Sequence, residues 1–303
     1  MKQHPALSAC LMFSAVFLLI FLTREGPAGA PSSVSRDPLP PGKLYQLTVP
    51  QLEDVMSFLA RSCPTRAARI AAYSELALGT PYGADSLGEG SGGTCDKDPL
   101  MDLSRADCVT FCEQILALAI SAGYEEAFQN LQKIRYHRGI IHFATRNHFV
   151  MADWLPHNQW LLKDITEETG GPLCQEMEKT IDRRDFAASR GCADAAAGMQ
   201  PQRISIRYIP TRHLLTTSSQ LKGSEILVLI TAREGIFASH LGFIIKDSSG
   251  ALRFRHASLT HKKVIDEPLE SLYRRMQSDR QMAGFVLIAV REDHDRFLPS
   301  ATP

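Results

Sequence analysis

The chain has 303 residues, 44% of them hydrophobic, with Lys+Arg and Asp+Glu balanced at 33 each. That length and apolar content can bury a substantial core in one large domain or two small ones. A formal net charge of zero implies no polyelectrolyte partner and argues against nucleic-acid binding.

At the N-terminus, Lys2 and His4 precede an apolar run from about Ala6 to Leu22, and the small residues Gly26-Pro27-Ala28-Gly29-Ala30 follow. Residues 1–30 therefore read as a secretory signal with Ala28-Gly29-Ala30 as its cleavage site, or as an uncleaved N-terminal membrane anchor. Leu7-Ser8-Ala9-Cys10 resembles a lipid-attachment box but precedes the apolar run instead of following it. Residues 31–47, rich in Pro and Ser, read as a disordered tether. Export changes how the cysteines read. Of seven, Cys10 leaves with the signal, and six remain in a compartment that permits disulfides. Cys174 and Cys192 bracket a charged, loop-rich segment and are the expected bridge. Cys112 is expected to be a packed thiol.

The body is expected over residues 48–295, with 296–303 as a tail. Thr48-Val49-Pro50-Gln51 is a capped helix start, and Leu52, Val55, Met56 and Leu59 keep a helical period. A second helix is predicted from Thr65 to Leu78, stopped by Gly79-Thr80-Pro81-Tyr82-Gly83. The glycine-rich stretch from Gly83 to Lys97 reads as a loop across the front of Cys108. Asp107 then caps a helix running through Val109 to Ile120, which ends before Gly123. A short helix follows over about Tyr124 to Arg135, with a turn at Arg135–Gly139. Residues 166–200, charged and small, read as a helical or irregular insertion. After about Ser205 the runs Ile226–Ile230, His240–Ile245, Leu252–His256 and Gly284–Val290, broken by turns such as Asp247-Ser248-Ser249-Gly250, predict an antiparallel sheet. Helices first and sheet second give an α+β fold.

Cys108 falls at the tip of its helix, where unpaired N–H groups and the positive end of the macrodipole favour a thiolate over a thiol of ordinary pKa about 8.5. A packed core thiol is the competing reading. A cysteine nucleophile needs a base and a group to orient it. Two histidines lie in strand patterns, His240 and His256, on runs joined by a turn short enough to make them hairpin partners. They read as base and orienter, or as two satisfied structural histidines. A cysteine on a helix followed roughly 130 residues later by a histidine on a sheet is also the chain order of papain-like enzymes. The spacings of Cys108, Cys112, His142 and His148 do not match usual zinc pairs. Thr145–Phe149 with Asp153-Trp154 mixes basic, amide and aromatic side chains of the sort that line a pocket, or a solvated loop face.

Together, Gly79-Thr80-Pro81-Tyr82, Asp107-Cys108-Val109-Thr110-Phe111, Ser239-His240-Leu241-Gly242-Phe243 and Arg255-His256-Ala257-Ser258 resemble the successive motifs of the NlpC-type papain-fold cell-wall hydrolases. More narrowly, Arg135-Tyr136, Arg146-Asn147-His148-Phe149, Asp153-Trp154 and Asp164-Ile165-Thr166 resemble its N-acetylmuramoyl-L-alanine amidase-like branch, long known as a domain of unknown function. The similarity spans about Leu52 to Arg291. The region of Cys174 and Cys192 and the glycine loop around Cys95 fall outside the family pattern.

The resemblance implies a papain-like domain with Cys108 as nucleophile, His240 as general base and acid, and His256 as orienter. It also implies Tyr82 as a stabiliser of the oxyanion, Arg146, Asn147, His148 and Trp154 as substrate contacts, and no metal or other cofactor. The implied reaction is amide hydrolysis in peptidoglycan or muropeptides at the N-acetylmuramoyl–L-alanine bond. The alternatives are a D-glutamyl–diamino acid endopeptidase and an acyltransferase on the same scaffold. The implied location is periplasmic or elsewhere in the cell envelope.

Overall fold

A computed structural model describes residues 42–292. The expected signal or anchor, residues 31–41 of the expected tether, and the tail lie outside the described residues. The end of that tether belongs to the folded body. Leu44–Gln46 form a single 3-10 turn, and Leu44 enters the main core because an apolar side chain gains by leaving water.

Four helices follow. Helix α1 (Val49–Ser62) opens with the expected capping box, in which the Thr48 N–H donates to Gln51 Oε1 over 2.9 Å, and it buries Leu52, Val55, Met56 and Leu59. Helix α2 (Arg66–Leu76) is capped by Thr65 and stops two residues short of the expected Leu78. Gly79 takes φ +92°, which glycine adopts without Cβ strain, and its N–H turns to Val264 O at 3.0 Å. Helix α3 (Cys108–Ala119) is buried along nearly its whole length. A helix buried on all sides is a core helix, and α2 and helix α4 (Tyr124–Arg135) pack against it.

The segment 166–200, expected to be helical or irregular, contains helix and also a strand. After the short strand β1 (Leu162–Asp164), strand β2 (Gln175–Ile181) leads into helix α5 (Arg183–Ser189), and strand β3 (Gln202–Pro210) returns antiparallel to β2. Strand β2 escapes detection in the sequence because, at a sheet edge, only Lys179 and Ile181 of it are buried, so no continuous apolar run marks it. The remaining strands are β4 (Ile226–Thr231), β5 (Ala238–Lys246), β6 (Leu252–Ser258), β7 (Lys263–Pro268) and β8 (Met282–Val290). Helix α6 (Leu269–Ser278) separates the last two. The sheet runs β2-β3-β8-β4-β5-β6-β7, with β1 also on β8, and every pairing is antiparallel.

Central strands β4 and β8 read as unbroken apolar runs because both their faces are covered. Ile226, Val228, Ile230, Val286 and Ile288 join α1 to α4 in the main core. Leu227, Leu229, Phe285 and Leu287 join Leu269, Leu272 and Met276 of α6 in a second core. The α+β arrangement expected from the sequence is therefore present, with α6 and the short helix Leu214–Thr217 contributing to the second core, neither of which the sequence reading placed.

Candidate active site

Cys108 is the first residue of α3. The Asp107 carboxylate accepts from the Val109 and Thr110 amides at 2.9 and 2.8 Å, and the Thr110 hydroxyl accepts from the Asp107 N–H at 2.9 Å. This reciprocal cap fixes the helix tip. Ser86 Oγ lies 3.0 Å from Thr110 Oγ1, so the glycine-rich loop docks on the same tip. The main-chain amides of Leu241, Cys108 and Val109 lie near the sulfur and favour its anion. Leu241 is the residue after His240, so the nucleophile candidate meets β5 beside its histidine.

The expected thiolate is not the resting form. Burial, reinforced by the Asp107 carboxylate, pushes the Cys108 thiol up to about 12, against the three amides. The helix tip does attract negative charge. Here its amides are opposed by desolvation and by the carboxylate that caps them.

Tyr82 stands in a short backbone bridge with Ala106, immediately before the cap. Burial, and then the proximity of Cys108, Asp107 and Asp85, raise its phenol above the ordinary value. Tyr82 and Cys108 both pack against the main core.

Nε2 of His240 lies 2.7 Å from Nδ1 of His256. The sequence spacing alone made them hairpin neighbours, and three local features bring the rings together. Residues Leu229 and His240 are paired, but Ile230 pairs with Ala238, so Ser239 is an extra residue just before His240. Such a bulge re-aims the next side chain. Carrying the Phe243–Arg255 register one step on sets Gly242 opposite His256, with His240 on the diagonal, within reach of aromatic side chains. A Cβ at Gly242 would fall 2.5 Å from Arg255 O and 2.8 Å from His256 Cβ, so only glycine permits this strand approach. Phe254 stacks on His256 at 4.7 Å and 21° and meets the His240 ring edge-on at 5.9 Å.

Burial first, then His256 and Arg275, hold the His240 imidazole down to about 3. Behind it, His256 Nε2 lies 3.5 Å from Glu267 Oε2. Arg275 of α6 grips the same carboxylate at 2.7 and 3.2 Å. Burial opposes ionisation of Glu267, but His256 and Arg275 together hold its carboxyl down at about 2. The sequence carried a signal for this group that was not used: Asp266-Glu267 puts two charges inside a strand that ends at Pro268.

The residues expected to contact substrate are engaged with other groups of the protein. Arg146 pairs with Glu89 and, at 2.8 Å, with Asp96 of the glycine loop. Asn147 donates to Ile134 O at 2.9 Å and its Oδ1 lies 2.7 Å from His157 Nδ1. The His148 ring sits 2.9 Å from Phe143 O, and burial with Arg146 nearby lowers its pKa to about 3. Trp154 is 0% exposed in the main core. Arg146 and His148 line a cavity of about 610 Å³ with His137, Asp153, His157 and Arg183, whereas Asn147 and Trp154 are not among its lining residues.

The expected Cys174–Cys192 bridge is not formed. Cys174 packs in the second core and bonds Thr166 O, while Cys192 packs with Phe143, Ala187 and Ala196, with Cys95 against them. The seven residues of β2, extended at about 3.3 Å each, carry the two positions apart. All six described cysteines are free thiols, and Cys112 is fully buried, as expected of a packed thiol. No group of three or more His, Cys, Asp or Glu side chains among the described residues is arranged to hold a metal ion.

A sequence model described as AmiA-like, N-acetylmuramoyl-L-alanine amidase-like, matches residues 72–279, a span that contains Tyr82, Cys108, His240 and His256. The chain belongs to this family. Among solved structures it is similar to a Legionella pneumophila protein of the group once called DUF1460, with TM-score 0.72 and 25% identity over 80% of this chain and 94% of that one. It is also similar to an N-acetylmuramoyl-L-alanine amidase from Bacteroides uniformis, with TM-score 0.60 and 22% identity over 73% of this chain and 98% of that one. Comparison with curated proteins finds no match. The branch read from the sequence is thus the family to which the chain belongs.

Proposed function

We propose that this amidase-like protein is an exported cysteine hydrolase with a papain-like, NlpC-type scaffold. It cuts the amide between the lactyl group of muramic acid and L-alanine in peptidoglycan or its released fragments. The observation that carries the reading is the packing of α3, whose capped tip bears Cys108, against β5, the strand that holds His240 at 2.7 Å from His256.

In this mechanism His240 uses Nδ1, the ring nitrogen not engaged by His256, to take the Cys108 proton as sulfur attacks the carbonyl carbon. In the same mechanism the sulfur and Nδ1 come within hydrogen-bond reach when substrate binds, since catalytic hydrogen bonds commonly form fully only in the substrate complex. The oxyanion is held by amides at the α3 tip and the Tyr82 hydroxyl. The imidazolium returns its proton to the leaving L-alanine nitrogen, and water, deprotonated by the same ring, hydrolyses the thioester. Arg146 and His148 serve as part of the wall of the cavity of about 610 Å³, which receives part of the glycan or stem peptide.

The deciding experiment incubates the protein with a defined muropeptide and identifies products by mass spectrometry. The wild type is expected to release a free L-alanine amino terminus, and Cys108→Ala to release none while keeping its melting temperature. Full activity in Cys108→Ala would end the cysteine mechanism. Cleavage at the D-glutamyl–diamino acid bond, or transfer to an added amine, would redirect the substrate assignment.

A further inference from the structure

A proton count on the two imidazoles leaves a question that the histidine pair cannot answer by itself. One hydrogen lies between Nε2 of His240 and Nδ1 of His256, 2.7 Å apart. If His240 donates it, a neutral His240 has a bare, basic Nδ1. If His256 donates it, the His240 proton sits on Nδ1, and that nitrogen can accept nothing from a thiol. The two tautomers are therefore a working base and a disabled one.

The neighbour that decides is Glu267. It lies opposite Phe254 in the β6–β7 register, diagonal to His256, which itself faces Ile265. His256 Nε2 is buried without a hydrogen-bond partner, and the Glu267 carboxylate stands 3.5 Å from it. A carboxylate only accepts, so it favours a hydrogen on His256 Nε2 and leaves Nδ1 of a neutral ring bare. The groups that bear on the pair are His240 from β5, Glu267 from β7 and Arg275 from α6. Arg275 grips Glu267 with two bonds, at 2.7 and 3.2 Å, and so fixes the carboxylate in place. Phe254, stacked on His256, fixes the plane of the ring.

We propose that Glu267 is a positioning residue: held by Arg275, it keeps His256 as the Nε2–H tautomer, makes it accept from His240 Nε2–H, and so leaves Nδ1 of His240 free to take the thiol proton. This deepens, and rests on, the amidase reading above. It runs as a diagonal chain across three strands, with no member touching substrate beyond His240. An ordinary ion pair stapling α6 to β7 would use the same Glu267–Arg275 contact but would leave the ring tautomers indifferent to it.

The test is long-range ¹H–¹⁵N correlation spectroscopy of the histidine-labelled full chain at neutral pH, with kinetics on a defined muropeptide in parallel. In the wild type both rings are expected as Nε2–H tautomers. Glu267→Gln keeps the size and one acceptor for Arg275 but can present its amide donor to His256. A Nδ1–H population of His240 is then expected to appear. A fall in kcat of about 10-fold or more accompanies it, within the range seen for outer partners of functional histidines, with KM changed less than about twofold. Wild-type His256 found as Nδ1–H, or tautomers unaltered in Glu267→Gln, would overturn the proposal. The wild-type spectrum tests it even if the variant does not fold. Absence of hydrolysis by the wild type would end the amidase reading and leave the tautomer result standing on its own.

Discussion

Cys108 and His240 are shifted in opposite senses, the thiol up to about 12 and the imidazole down to about 3. Burial leads in both cases, because a low-dielectric site penalises whichever form carries charge. Above its own value the imidazole is neutral and able to accept. Below its own value the thiol still holds the proton to be given. The resting pair is therefore neutral across the ordinary pH range, and in the proposed mechanism the proton moves during attack instead of before it. On a defined muropeptide, kcat/KM is expected to stay flat from about pH 5 to 9 and to fall at lower pH as His240 protonates and loses its basic nitrogen. A falling limb centred near the ordinary histidine value of about 6.5 would show that the ring titrates as an exposed group. Residue-scale features were partly legible: Cys108, Asp107, His240 and His256 each stand in local patterns that mark them. Their protonation was not, because the helix tip was visible in the sequence and the desolvation around it was not.

At the scale of elements, the site depends on how α3 is seated. Glu113, one turn and a residue beyond Cys108, is fully buried on α3 and forms an ion pair with Arg135 at the end of α4. Arg135 in turn donates to Leu87 O at 2.8 Å, which ties down the glycine-rich loop. One buried pair thus joins two helices and the loop that docks on the tip bearing Cys108. Glu113→Leu is expected to cost about 3–5 kcal/mol of unfolding free energy, since it strands a buried guanidinium. Adding Arg135→Met should recover most of that loss, and urea denaturation of the two variants checks both. Equal stabilities of the single and double variants would mean that water or another group satisfies Arg135. Helices α1 to α4 were readable because caps and 3.6-residue spacing are local signals. The partnership of Glu113 with Arg135 was not, since 22 residues separate them in the chain and nothing in either helix alone requires the other.

Over the whole molecule, the 166–200 segment supports the strand that carries His240. Lys179 on β2 is buried and donates to the carbonyls of Thr231, Arg233 and Ile236 at 2.6, 2.6 and 2.7 Å. Its ammonium also lies 5.4 Å from the centre of the Phe237 ring. These residues form the connection from β4 into β5, just ahead of the bulge that aims His240. Lys179→Met would leave three carbonyls without a donor, and buried orphans of this kind are costly. Faster hydrogen exchange across residues 232–237 is expected, with kcat lowered about 10-fold and α3 still protected. Unchanged exchange in that connection would refute the clamp. This coupling ties the insertion, through the edge strand, to the centre of the fold.

The sequence by itself determined the α+β class, the early helices, the capped cysteine and the two strand histidines, because each is written in spacing or capping over a few residues. The branch of the family was legible too, through motifs in a fixed order along the chain. Only the tertiary structure decided that residues 175–181 form an edge strand, that Cys174 and Cys192 pack in separate clusters, and that Trp154 is sealed in the core. It alone also set Glu267 and Arg275 behind the histidine pair. Those outcomes turn on which faces are covered and on which distant groups share a low-dielectric space, and neither quantity exists until the chain has closed on itself.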